Sequence, residues 1–118
     1  MTVEELIHKI NTAPEAIDFT EVITTIDNTY HYTPARFSNG TGSKRIINHA
    51  GSNEGSCKIF AFGRLNKLTE QQTLTCFGNY YREDVLQHPG NEDHANIRNF
   101  MASGWEGIDF ESEALQPR

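Results

Sequence analysis

The residues with the most chemical potential in this chain are Asp84, Asp93, His94 and Arg98. A carboxylate beside an imidazole is the minimum for general acid–base work: it holds the ring in one tautomer while the other nitrogen takes or gives a proton. Turning about 100° per residue along a helix brings Asp84 into one sector with Phe77, Tyr80, Tyr81 and Val85. The same construction puts His94, Ile97, Arg98 and Met101 on one stripe of the next helix, and Lys58 between Phe62 and Leu65 on an earlier one. An inward charge left alone is costly, so the pattern predicts that these groups meet, with Asp84 buried and paired to Arg98, Lys58 or His94. Such a cluster serves as a structural ion pair as readily as a site. Tyr80, Tyr81, Arg82, Asn96 and Trp105, close by in sequence, add more hydrogen-bonding groups than an ion pair needs.

Two reaction types and one binding mode can be written on these residues. Cys57, near a helix start and beside Lys58, has the setting that lowers a thiol pKa, and His49 or His94 with Asp93 or Asp84 completes a cysteine-hydrolase arrangement. His49, Asp84, Asp93 and His94 are acceptable ligands for zinc, iron or manganese, although no H-E-x-x-H, H-x-x-E-H or C-x-x-C spacing organises them. The loop Gly51–Ser56 precedes a helix and is followed by Lys58, so its backbone can offer N–H groups and a positive dipole to an anion. Glu54 works against that, and no phosphate-loop or dinucleotide fingerprint is present. The identity of any cofactor stays open.

Five helices position these groups. Thr2 with Glu5 forms a capping box ahead of Val3, Leu6, Ile7 and Ile10, predicting a helix from Val3 to Asn11. Asp18 with Glu21 opens a second, whose inward stripe is Phe19, Val22, Ile23, Ile26 and Tyr30. Pro34, Asn39-Gly40 and Gly42 then mark extended chain and turns, with Arg45-Ile46-Ile47-Asn48 returning as a short hairpin. The third helix, Cys57 to Asn66, is apolar on most sides and therefore central. Thr69 with Gln72 caps a fourth that runs through Leu74, Phe77 and Val85 to Pro89-Gly90. A fifth, Asp93 to Ser103, stops at Gly104. Trp105 to Phe110 alternates apolar and polar and should return as a strand against the hairpin, with a loose tail beyond it. The fold class is α+β, predominantly helical, in a single domain spanning residues 1–118.

Composition removes several functions. A chain of 118 residues with a formal charge of -6 lacks the basic field that nucleic acid or anionic lipid requires, and Lys44-Arg45 is its one adjacent basic pair. No apolar run is long enough to span a bilayer, and residues Met1–Leu6 lack the basic and apolar regions of an export signal. Cys57 and Cys76 are therefore expected as free thiols in a reducing compartment.

Several stretches resemble the HopJ type III effector family: Phe37-x-Asn39-Gly40, Gly55-Ser56-Cys57-Lys58-Ile59-Phe60-Ala61-Phe62, Gln72-Thr73-Leu74-x-Cys76-Phe77-Gly78-x-Tyr80-Tyr81-Arg82, Asp93-His94-x-Asn96-Ile97-Arg98-Asn99-Phe100-Met101 and Gly104-Trp105-x-Gly107-Ile108-x-Phe110. The resemblance covers essentially the whole chain. It implies a small bacterial domain whose family takes its name from proteins delivered through a type III system into plant cells, and it implies no defined reaction. Location is accordingly cytoplasmic, or secreted if the chain acts as an effector, with a host target only in that case. The leading functional expectation is a polar pocket between the third, fourth and fifth helices for a small anionic ligand or a partner protein. The alternative is an enzyme with His94 as acid or base, Asp84 or Asp93 as its orienter and Cys57 as nucleophile, or one assisted by a metal. In either case Lys58, Tyr80, Tyr81, Arg82, Asn96, Arg98 and Trp105 are the expected binding residues.

Overall fold

The computed structural model describes residues 1–118. Helices α1 (Val3–Thr12) and α2 (Phe19–Thr29) begin where the capping boxes predict: Thr2 and Asp18 are extended, and each exchanges bonds with the glutamate three residues on. Strand β1 (Tyr30–Tyr32) follows directly, then β2 (Phe37–Asn39) and β3 (Ile46–Asn48), which pair antiparallel as the predicted hairpin. Helix α3 (Glu54–Leu65) starts three residues earlier than its apolar pattern suggested and runs through the centre of the molecule. Cys57 and the stretch from Ile59 to Gly63 are buried along it. Phe37, Phe60, Phe62 and Phe100 lie fully inside one continuous core, with Phe60 ringed by Phe37, Phe77 and Phe100 at centroid distances of 4.9–5.9 Å.

The predicted long fourth helix is two pieces. Helix α4 (Glu70–Thr75) ends early because Gly78 takes φ +60, and a Cβ there would come within 2.8 Å of the Phe19 nitrogen. The chain resumes as a π-helical turn, Tyr80–Val85. The angular register is lost at Gly78, so Asp84, expected inside, has 48% of its side chain open to solvent. Helix α5 (Ala95–Ser103) ends at Gly104 in a positive-φ conformation, as predicted. Its buried residues are Asn96, Ile97 and Phe100; of the expected stripe Ile97 is buried, His94 and Arg98 are half-buried, and Met101 faces solvent.

The C-terminal segment is also ordered differently from expectation. Trp105 belongs to a 3₁₀ turn, Gly104–Gly107, and only β4 (Asp109–Phe110) joins the hairpin, giving the order β3-β2-β4. The tail is not loose: β5 (Leu115–Pro117) pairs antiparallel with β1, and Ala114 and Leu115 are buried. No helix is long and apolar enough to cross a membrane.

Candidate functional site

The starts of α3 and α5 face one another across a cleft of about 390 Å³. Phe19, Ile46, Phe77 and Ile97 supply its apolar wall, and Tyr80, His94, Asn53, Ser56 and Asn96 bring polar groups to it. An apolar lining with a few convergent polar groups is the usual form of a small-ligand site. A second groove of similar volume, along Ala61, Arg64, Leu65, Phe110, Glu113 and Leu115, carries no histidine or cysteine.

The two helix starts differ from the rest of the molecule. Thr2, Asp18 and Thr69 are extended and their side chains cap α1, α2 and α4. Asn53 and His94, which precede α3 and α5, are left-handed, at φ 51 and φ 52, and neither side chain caps its helix. An extended N-cap aims its oxygen at the N–H groups of the first turn; the left-handed conformation turns the side chain elsewhere. The first-turn donors of both helices are therefore left without side-chain partners beside the cleft, where the helix dipoles are positive.

His94 sits at the rim, half-buried. Its Nε2 lies 2.9 Å from Asp84 Oδ2 and 3.9 Å from Asp93 Oδ2, and its ring is 5.1 Å from that of Tyr80, which in turn meets Phe19 edge-on at 5.0 Å. Arg98 holds the loop that carries this group. Its guanidinium donates to Asp93 Oδ1 at 2.7 Å, to the Asp93 carbonyl and, at 3.4 Å each, to the carbonyls of Asp84 and Pro89. The Arg98 hydrogen bond holds the Asp93 carboxyl below the usual carboxylate range. Ligand atoms of Asp84, Asp93 and His94 lie within 4.8 Å of one another, so these three are the residues able to hold a metal ion; His49 is not among them.

Other predicted residues serve the scaffold. Lys58 does not meet Asp84: its ammonium bonds Asp27 Oδ1 at 2.8 Å and lies 4.7 Å from the Tyr32 ring centre. Cys57 is 1% exposed, and burial pushes its thiol up rather than down, the opposite of an activated nucleophile. Arg82 donates to the carbonyls of Pro14 and Ile17, tying the π turn to the entry of α2. Tyr81 is buried beside Gln71. Trp105 donates its Nε1–H to the Leu68 carbonyl at 3.0 Å and packs on Phe100, away from the cleft.

The groups that composition and helical periodicity missed are the asparagines that partner Asn96. Asn39, Asn48 and Asn96 are buried, and with Asn53 they form one amide network beneath the cleft. Strand alternation was the available signal: Asn39 follows Phe37 by two residues and shares its inward face, while Asn48 is the register partner of Phe37. Asn39 Oδ1 is buried without a hydrogen-bond partner, a loss of about 1–3 kcal/mol relative to a satisfied group. Asn66, by contrast, bonds Tyr30 and the Phe62 carbonyl at the far end of α3.

These features define a mostly helical α+β domain with an open cleft at two helix starts. The chain belongs to the HopJ type III effector protein family, whose family model matches residues 3–115. Its fold is similar to the crystal structure of VPA0580, described as a protein of unknown function: TM-score 0.94, 50% identity, covering 100% of this chain and 95% of that one. No curated protein matches.

Proposed function

We propose that this protein is a small binding domain whose cleft between the starts of α3 and α5 receives an anionic group, a carboxylate or phosphate, on a small ligand or on a partner protein. The observation that carries this reading is the pair of helices that begin at the cleft on left-handed residues without side-chain caps, in a chain that caps α1, α2 and α4 with complete boxes. Two converging sets of first-turn N–H groups favour an anion. Glu54, the residue that opposed an anion in sequence, does not line the cleft; its carboxylate lies beside Tyr32 and Cys57. Asp93 is offset by Arg98 and Asp84 faces His94. His94, Tyr80 and Asn96 are the side chains proposed to touch the ligand, and Arg98 the one that holds the loop. Titrating inorganic phosphate while following backbone amide shifts tests it: Gly55, Ser56, Ala95 and Asn96 should move together and saturate.

A second reading is favoured by one contact. Asp84 Oδ2 at 2.9 Å from His94 Nε2 fixes the tautomer that leaves Nδ1 as an acceptor, the arrangement a general base needs. Hydrolysis of p-nitrophenyl phosphate or acetate above the buffer rate, lost in both His94→Gln and Asp84→Asn, would support it; no such activity in the unmodified protein would remove it. As members of an effector family the chain and its relatives are candidates for delivery into a host cell, and a host protein bearing the anionic group is the corresponding partner.

A further inference from the structure

We infer that Asn48 is the positioning residue of the cleft: its side-chain oxygen holds the starts of α3 and α5 in one geometry, and the affinity of the cleft for an anion depends on it. The inference rests on the binding role proposed above for its ligand readout, though not for its structural one. Asn48 Oδ1 accepts from Asn53 Nδ2 at 2.7 Å and from Asn96 Nδ2 at 2.9 Å. Asn53 is the residue before α3, and Asn96 stands in the first turn of α5. One carbonyl oxygen at the end of β3 therefore joins both walls of the cleft.

The rest of the network keeps that oxygen in place. Asn48 Nδ2 donates to Asn96 Oδ1 at 3.1 Å and, at 3.4 Å, to the Phe37 carbonyl of the neighbouring strand. Asn39 Nδ2 donates to the Asn96 carbonyl at 2.8 Å and to Asn96 Oδ1 at 3.0 Å. With Asn48 2% exposed and Asn39 fully buried, water does not compete for these bonds. The bond to Asn48 also accounts for the missing cap of α3: the amide of Asn53 points back to the sheet, so it is not available to the first turn. An apolar side chain would fill the space without leaving Asn39 Oδ1 unpaired. What the amides supply in its place is direction, because hydrogen bonds fix the two helix starts against the same strand pair.

The test combines Asn48→Ala, Asn53→Gly and the double variant, with hydrogen exchange at both helix starts and inorganic phosphate affinity as readouts. Glycine suits the left-handed position of Asn53, so Asn53→Gly cuts the α3 arm without backbone strain and is the variant to use should Asn48→Ala fail to fold. Asn48→Ala should speed exchange at Cys57 and at Arg98, whose amides make the first backbone bonds of α3 and α5, together while Phe60 stays protected, and weaken phosphate on the order of tenfold. Asn53→Gly should loosen α3 alone, and in the double variant should add almost nothing. Should Asn48→Ala not fold, Asn53→Gly must still speed exchange at Cys57 selectively, leaving Arg98 unchanged. Additive losses, a response at only one helix in Asn48→Ala, or an unchanged α3 start in Asn53→Gly would overturn the inference. If the unmodified protein binds no phosphate, the binding role fails, and the exchange pattern still decides whether Asn48 joins the two helix starts.

Discussion

His94 Nε2 lies 2.9 Å from Asp84 Oδ2, yet 48% of the Asp84 side chain is open to solvent. The contact is an oriented surface hydrogen bond, not the buried ion pair that helical periodicity suggested. Asp84→Ala should therefore lower stability by no more than about 1 kcal/mol, against the roughly 3–5 kcal/mol of a broken buried pair. Nitrogen shifts of His94 should show the neutral ring losing its preference for the Nε2–H tautomer in that variant. A denaturation midpoint that collapses, with a tautomer that does not change, would contradict this account.

Asp93 has its carboxyl held below the ordinary range chiefly by the Arg98 hydrogen bond. A depressed folded-state pKa stabilises the protein above the unfolded pKa of about 3.9, and that contribution is lost as pH falls through the lower folded value. Carboxyl carbon titration should place Asp93 below its usual value in the unmodified protein, and Arg98→Ala should return it upward. The same variant releases the carbonyls of Asp84 and Pro89, so amide exchange from Val85 to Asp93 should quicken. An Asp93 titration unchanged by Arg98→Ala would remove Arg98 as the loop's clasp.

Both thiols are suppressed by burial, Cys57 upward and Cys76 up to about 12. Iodoacetamide at about pH 8 should label neither at a rate approaching a free cysteine, and both should react at once in denaturant. Rapid stoichiometric labelling of native Cys57 would restore the covalent reading.

Where the chain uses strong local signals, the fold was legible before the structure. Thr2, Asp18 and Thr69 mark three helix starts through complete capping boxes, Gly104 marks the end of α5, and the Phe37–Asn48 hairpin follows from its turn residues. The interruption at Gly78 was not legible, because a lone glycine in a helical pattern reads as tolerated until the Phe19 backbone is known to press against it. That one residue moved Asp84 from the interior to a half-exposed rim. The tail escaped for a related reason: the partner of Leu115–Pro117 is β1, far away in sequence, and short strands carry little periodicity of their own. Tyr80, His94 and Asn96, which line the cleft, and Asp84, Asp93 and Arg98, which surround His94 at its rim, were all named from the sequence. Lys58 was drawn in by its direction on a helix, and Tyr81, Arg82 and Trp105 by proximity along the chain; neither decides which faces meet.

The central claim is that the unsealed starts of α3 and α5 bind an anion between them, and a phosphate titration read residue by residue tests it most directly. The account predicts saturable amide shifts at Gly55, Ser56, Ala95 and Asn96, accompanied by the side chains of His94 and Tyr80, with Lys44 and Arg45 unmoved. Shifts confined to Lys44, Arg45 or other surface cations, or none that saturate, would contradict it.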